Sequence, residues 1–299
     1  MITIRRYSKA ETETGDRSRF NVNNLWAETD AAPPDDYDSR LERTQTKHWI
    51  HLSNKNPRFI DFDAEDTKWM LQALNAYALL VMMGTNELQV ASTVSTLYKE
   101  QLDKTIAKHS VDFPNGSWFV RVERISLKTG VHGPGPYNNL KNVIQSIITS
   151  KVGHECISLS DNLERFRVYF LEWREIEHEF RVFVHNDVIT AISTQRVTEI
   201  DGWVQQQNDE ELSRNVVGWI DEAFNQTLKD KLGTIVGPDY TMDIGLLEDG
   251  SVYFIEPNCF GAQYAAASAL FHWTDDHAVL HDTKKIEFRF VDRDVPVGN

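Results

Sequence analysis

Residues 240–261 read YTMDIGLLEDGSVYFIEPNCFG, and the fold turns on them. Tyr, Ile, Val and Phe crowd positions 240–247 and 251–256, and Glu248-Asp249-Gly250 between them is turn chemistry, so the spacing predicts a β-hairpin. Three oxygen-bearing side chains interrupt its apolar strands. Asp243 lies inside the first strand, Glu256 ends the second, and Asn258 follows Pro257. Residues two apart on an extended chain point to one side, so Glu256 and Asn258 can face one site. A turn at 248–250 sets Asp243 roughly opposite Glu256. Two carboxylates and an amide oxygen placed this way suit Mg2+, a hard cation that shares oxygen ligands with nucleotide phosphates. The plainer alternative is a strand-edge charge and a solvated strand end.

Composition bounds what such a hairpin can serve. The chain has 299 residues, 41% hydrophobic and 25% charged, enough for one large domain or two moderate ones. No apolar run approaches the ~18–20 residues of a membrane span, and the first twenty residues lack the apolar core of a secretory signal. Cys156 and Cys259 are far apart in sequence and form no metal or redox motif. These features point to the cytoplasm, away from membranes. A net charge of −14 argues against broad nucleic-acid binding, and any phosphate pocket has to be a local positive island.

Working outward, residues 1–47 read as weakly structured, an arm packed through Trp26 and Tyr37. Residues 48–52 and 58–62 read as short strands. Helical spacing of apolar residues predicts helices over 64–83 and 85–108. Residues 117–123 alternate as a strand carrying Arg121, and 126–137 form a loop rich in Gly and Pro with Lys128 at its entrance. Such a loop is either an ordinary surface loop or a flexible cover whose N–H groups lie over phosphates. A helix over 140–150 and a strand over 166–173, ending in Glu172-Trp173, come next. Strands 178–184 and 188–194 form a second hairpin in which Glu179 and Arg181 share one face. Spacing leaves two readings of that pair, a cross-strand ion pair or a phosphate contact oriented by its acidic neighbour. Residues 208–231 read as a helix with Gly233 just past its end, and 263–273 as a small-residue helix.

The order of elements resembles the ATP-grasp superfamily. Trp118–Gly130, Tyr169–Gln195 (YFLEWREIEHEFRVFVHNDVITAISTQ) and Val252–Trp273 (VYFIEPNCFGAQYAAASALFHW) resemble its cell-division-cycle 123 branch, proteins that assist assembly of the translation initiation factor two heterotrimer. Phe119-Val120-Arg121 followed by Leu127-Lys128 resembles a phage and bacterial ATP-grasp clade named for an Arg and two Lys. Together the likeness covers about residues 117–275.

The resemblance implies an α+β fold, two α+β lobes with the nucleotide site between antiparallel sheets. It implies an N-terminal region over 1–115, a small lobe over 116–170, and a large lobe over 171–299 that holds the metal-binding hairpin 240–258. It implies ATP and Mg2+ as ligands. Arg121 and Lys128 would contact phosphates, Glu172 and Trp173 would lie where adenine is read, and Glu179 and Arg181 would face the transferred phosphate, with Arg181 and Lys128 in catalytic roles. Asp243, Glu256 and Asn258 would hold the metal. The first functional expectation is an ADP-forming ligase that activates a carboxylate as an acylphosphate for attack by an amine, on a peptide or protein substrate. The alternative is an assembly chaperone that holds a protein partner with bound ATP. Arg121 departs from the Lys common at its position, and Glu256 stands where the cell-division-cycle branch tends to have Asp.

Overall fold

The computed structural model describes residues 1–13, 20, 33–53, 57–150, 157, 165–247, 249–264 and 266–293. Its nine strands among these are β1 (Ile2–Ser8), β2 (Arg58–Asp63), β3 (Trp118–Arg121), β4 (Arg165–Glu172), β5 (His178–His185), β6 (Val188–Thr194), β7 (Tyr240–Leu246), β8 (Val252–Cys259) and β9 (Ile286–Asp292). The chain divides into two compact units, Met1–Ser53 with Glu175–Asn299, and Asn54–Arg174. Three consecutive regions were expected, and the observed division differs for two reasons. The first residues join the C-terminal unit because β1 pairs in parallel with β9, and residues from 54 onward join the smaller unit because β2 pairs with β4.

The larger unit is built on a six-stranded sheet in the order β1-β9-β6-β5-β7-β8. It is mixed rather than purely antiparallel, since β9 runs parallel to both β1 and β6. Alternation along β5 sorts its side chains. Phe180, Val182 and Val184 enter a core with Leu212, Val216, Ile220, Phe224 and Leu228, so the helical run 209–236 covers that face. Two π-helical stretches, Ser213–Gly218 and Phe224–Leu228, interrupt it. The run continues past Gly233 and ends at Gly237, whose φ of 91° suits a glycine cap. On the opposite face, Phe183 and Ala191 pack with Phe260, Phe271, Trp273 and Leu280. The β5–β6 hairpin closes through Asn186 and Asp187 at φ 51° and 57°, the left-handed pair that a two-residue turn demands.

Several local expectations are corrected here. The segment 1–47 contains β1 and a helix at Tyr37–Arg43. Residues 48–52 lie in a helix, Thr46–Ser53, which buries Trp49 edge-on against Phe254, ring centroids 5.7 Å apart. The described residues of 263–273 form turns, not a helix. Their backbone is committed to side chains of the sheet: Arg181 and Arg289 donate to the carbonyls of Ala267 and Leu270, and Leu270 N donates to Ser193 Oγ. Tyr37 stacks on Tyr264 at 6.1 Å; Trp26, Cys156 and Glu248 lie outside the described residues.

The smaller unit carries the three-stranded antiparallel sheet β2-β4-β3 and the helix Ala64–Met82. Asp63 caps that helix by accepting from Glu65 N and Asp66 N. The expected helix 85–108 is two helices, Glu87–Leu97 and Lys99–His109, broken at Tyr98, whose ring stacks on Trp69. Met70, Leu74, Val94, Ile144 and Phe170 meet in this unit's core.

Candidate functional site

In the larger unit, strand register lays polar side chains in one row across the sheet. Arg181 on β5 pairs with Asp243 on β7, and Asp243 pairs with Glu256 on β8. On its other side Arg181 pairs with Ser193 on β6, which pairs with Arg289 on β9. Arg181 and Asp243 are 5% and 2% exposed. Their contact is bidentate: Arg181 Nε donates to Asp243 Oδ1 at 2.8 Å, and its second terminal nitrogen donates to Oδ2 at 2.7 Å. Burial opposes the charge on Arg181, but Asp243, Glu256 and Glu179 outweigh it and raise the guanidinium pKa. Three carboxylates therefore act on one buried guanidinium.

The hairpin bulges just beyond this row. Asp243 faces Glu256 while Ile244 faces Phe254, so Ile255 is the extra residue. Asn258 lies opposite Thr241. Thr241 Oγ1 and Asn258 Nδ2 are both buried without a hydrogen-bond partner, and such groups are uncommon in a folded interior. Asp243, Glu256 and Asn258 are thus neighbours on one patch, as the sequence spacing anticipated. Thr241 was missed, although it stands two residues before Asp243 and so on the same face. Among the described residues, no group of three or more His, Cys, Asp and Glu side chains is placed to hold a metal ion. Beside Asp243 and Glu256 the patch carries the Asn258 amide.

In the smaller unit, Arg121 ends β3 and is 2% exposed, enclosed rather than presented at a surface. Lys128 is exposed on a short 3-10 turn, Leu127–Thr129. The loop after it is pinned to the end of the helix Leu140–Ile148. Val131 N donates to Thr149 Oγ1 at 3.0 Å and His132 N to Ser146 Oγ at 3.3 Å. Its backbone donors are spent on the protein to an extent that a flexible cover would not require. Glu172 pairs with Arg174 at 2.7 Å, and Trp173 N donates to Ser117 O. Glu172 and Trp173 line a cavity of about 360 Å3 with Arg58, Ser117 and Trp118, a size in the range of small-ligand pockets. Arg58 opens β2, and no motif singled it out.

The family model described as D123 matches residues 150–299. Among solved structures, C-terminally truncated Cdc123 from Schizosaccharomyces pombe superposes with a TM-score of 0.56 at 16% identity, covering 85% of this chain and 97% of that one. Another structure of Cdc123 from the same organism gives 0.54 with the same identity and coverage. The fold is accordingly that of Cdc123, an α+β fold as expected from the sequence. No curated protein matches the chain.

Proposed function

The chain belongs to the D123 family, and on that footing we propose that it binds ATP with Mg2+ and uses the nucleotide in the handling of a peptide or protein partner. The observation that carries this reading is the row of the buried Arg181 and Asp243 with the partly buried Glu256, and Asn258 beside it. Asp243, Glu256 and Asn258 would hold the metal. Both Asp243 oxygens accept from Arg181, yet each carboxylate oxygen has a further lone pair, and the donors are the hard oxygens that Mg2+ takes. An amide flip would exchange the unpartnered Asn258 nitrogen for oxygen, so the residues present fit the ion. When bound, Mg2+ offsets the negative charge of the phosphates. Arg181 uses three hydrogen bonds on Asp243 and Ala267, and a guanidinium has N–H groups beyond these for a phosphoryl oxygen. Glu179 would orient Arg181; in the smaller unit, Arg121 and Lys128 keep the phosphate role, and Glu172 and Trp173 the adenine role, that the resemblance implies.

Two uses of the nucleotide follow from different observations. Membership of the D123 family, with the fold of Cdc123, favours a binding protein that holds a partner while ATP stays bound, resembling the assembly factors of the cell-division-cycle 123 branch. The Arg121 and Lys128 pattern favours a carboxylate–amine ligase that releases ADP. Such a ligase works by positioning and charge stabilisation and requires no nucleophilic side chain. Turnover separates the two. A ligase releases ADP in proportion to an added peptide carboxylate and amine, whereas an assembly factor binds Mg-ATP and releases no more ADP with them than without. Absence of a Mg2+-dependent thermal shift with ATP would refute both.

A further inference from the structure

A second cavity, of about 150 Å3, opens in the larger unit where β5 begins and β6 ends. Glu177, Glu179, Glu199 and Asp201 line it with Arg196 and Thr194. Four acidic residues and one arginine line it, so acidic side chains outnumber basic ones by three around His178. Each of the four acids has a neighbour: Glu177 lies 4.0 Å from His178 Nε2, and Glu179 acts on Arg181 and Arg196. Asp201 Oδ2 meets His178 Nδ1 at 2.8 Å while its Oδ1 caps the following helix at Trp203 N and Val204 N, and Glu199 accepts from Arg196 at 2.9 Å. Thr194 is 4% exposed, and its hydroxyl has no hydrogen-bond partner. A buried hydroxyl left so is a group that awaits one.

Charge and size narrow the occupant. A phosphate would enter against a field of its own sign, and the cavity is well below the several hundred Å3 typical of sites for drug-sized ligands. A metal ion is disfavoured, since among the described residues no three His, Cys, Asp or Glu side chains are placed to hold one. A compact cation with several donors satisfies both the carboxylates and the Thr194 hydroxyl. We propose that this cavity is a subsite for a primary ammonium group, such as a lysine side chain presented by a peptide or protein. Glu179 ties it to the charged row, because the same carboxylate acts on Arg181 and on Arg196. The subsite shares Glu179 with the proposed nucleotide site, but its occupation does not require nucleotide.

The test uses the full-length 15N-labelled chain without nucleotide or Mg2+, titrated with Nα-acetyl-lysine methylamide and, as the uncharged control, Nα-acetyl-norleucine methylamide. The lysine probe is expected to shift the amides of Glu177, His178, Glu179, Thr194, Arg196 and Gly202 with a Kd of about 1 mM, and the norleucine probe is expected to leave them unmoved. Glu199→Gln alters a side chain that is 62% exposed, in a surface ion pair with Arg196, and it should weaken the lysine probe about two- to fivefold, as for other solvent-facing charge pairs. Thr194→Val, nearly the same shape, should weaken it too. No lysine-specific shift at these amides, equal shifts from both probes, or undiminished binding by Glu199→Gln would overturn the proposal. Mg-ATP added to a parallel sample reads the nucleotide site independently, so either can fail without the other.

Discussion

Replacing Asp243 with asparagine removes one charge of a buried pair and leaves the other in place. Arg181 and Asp243 share two hydrogen bonds of 2.8 and 2.7 Å in the middle of the sheet. A buried guanidinium that loses its carboxylate is no longer compensated for desolvation, and breaking such a pair costs about 3–5 kcal/mol. Asparagine keeps the shape and one carbonyl acceptor, which places the expected loss near the lower end, about 3 kcal/mol. With a urea dependence of about 2 kcal/mol per M, the midpoint should fall by about 1.5 M. The assay is urea unfolding followed by far-ultraviolet circular dichroism and, separately, by tryptophan fluorescence, because a chain with two compact units can unfold in more than one step. The paired replacement Arg181→Met with Asp243→Leu removes both charges and should recover much of the loss. A midpoint shift below about 0.3 M for Asp243→Asn, under a fifth of the expected effect, would refute the reasoning. The consequence for function is practical: Asp243 variants confound ligand loss with unfolding, and Glu256, only partly buried, is the cleaner probe.

Gly130 begins the Gly-rich loop, and a Cβ there would lie 2.5 Å from Ser146 O and 2.6 Å from Ser146 Cα. Both atoms are backbone, so Gly130→Ala should destabilise the smaller unit by about 1–3 kcal/mol, read as a lower thermal midpoint; an unchanged midpoint would show that the loop does not rest on that helix. A third expectation concerns pH. Burial first, then the neighbouring His277 and His185, lower the pKa of His281 below 6.5, against the opposing bond to the His277 carbonyl, and the His277 and His281 rings stack at 3.8 Å. The folded state thus binds this proton less readily than the unfolded one, so stability is full above pH 6.5 and declines as pH falls below it. His281→Phe should flatten some of that decline in a series of thermal melts, and a slope identical to wild type would contradict it.

The hairpin β7–β8 was legible because its information is local. Alternation and a short turn fix which side chains share a face, and Asp243 does stand opposite Glu256. The same reasoning found the β5–β6 hairpin and the helix Ala64–Met82. Pairing between distant segments left no such trace. The β1–β9 contact joins the two ends of the chain, so the N-terminal stretch read as weakly structured. Residues 263–273 carry good helix formers, but the carbonyls of Ala267 and Leu270 are acceptors for Arg181 and Arg289, a tertiary demand that overrides propensity. The bulge at Ile255 and the enclosure of Arg121 likewise depend on packing. Arg181, read from spacing as paired across strands or as a phosphate contact oriented by Glu179, makes an ion pair with Asp243, the residue expected at the metal.

Calorimetric titration of Mg-ATP into wild type and into Glu256→Gln with Asn258→Ala tests the central reading most directly. Binding by wild type that vanishes when Mg2+ is chelated, and that weakens at least about tenfold, or 1.4 kcal/mol, in the double variant while its thermal midpoint holds, is the predicted result. No Mg2+-dependent binding by wild type up to about 1 mM ATP, or binding that the double variant leaves unchanged, would contradict it.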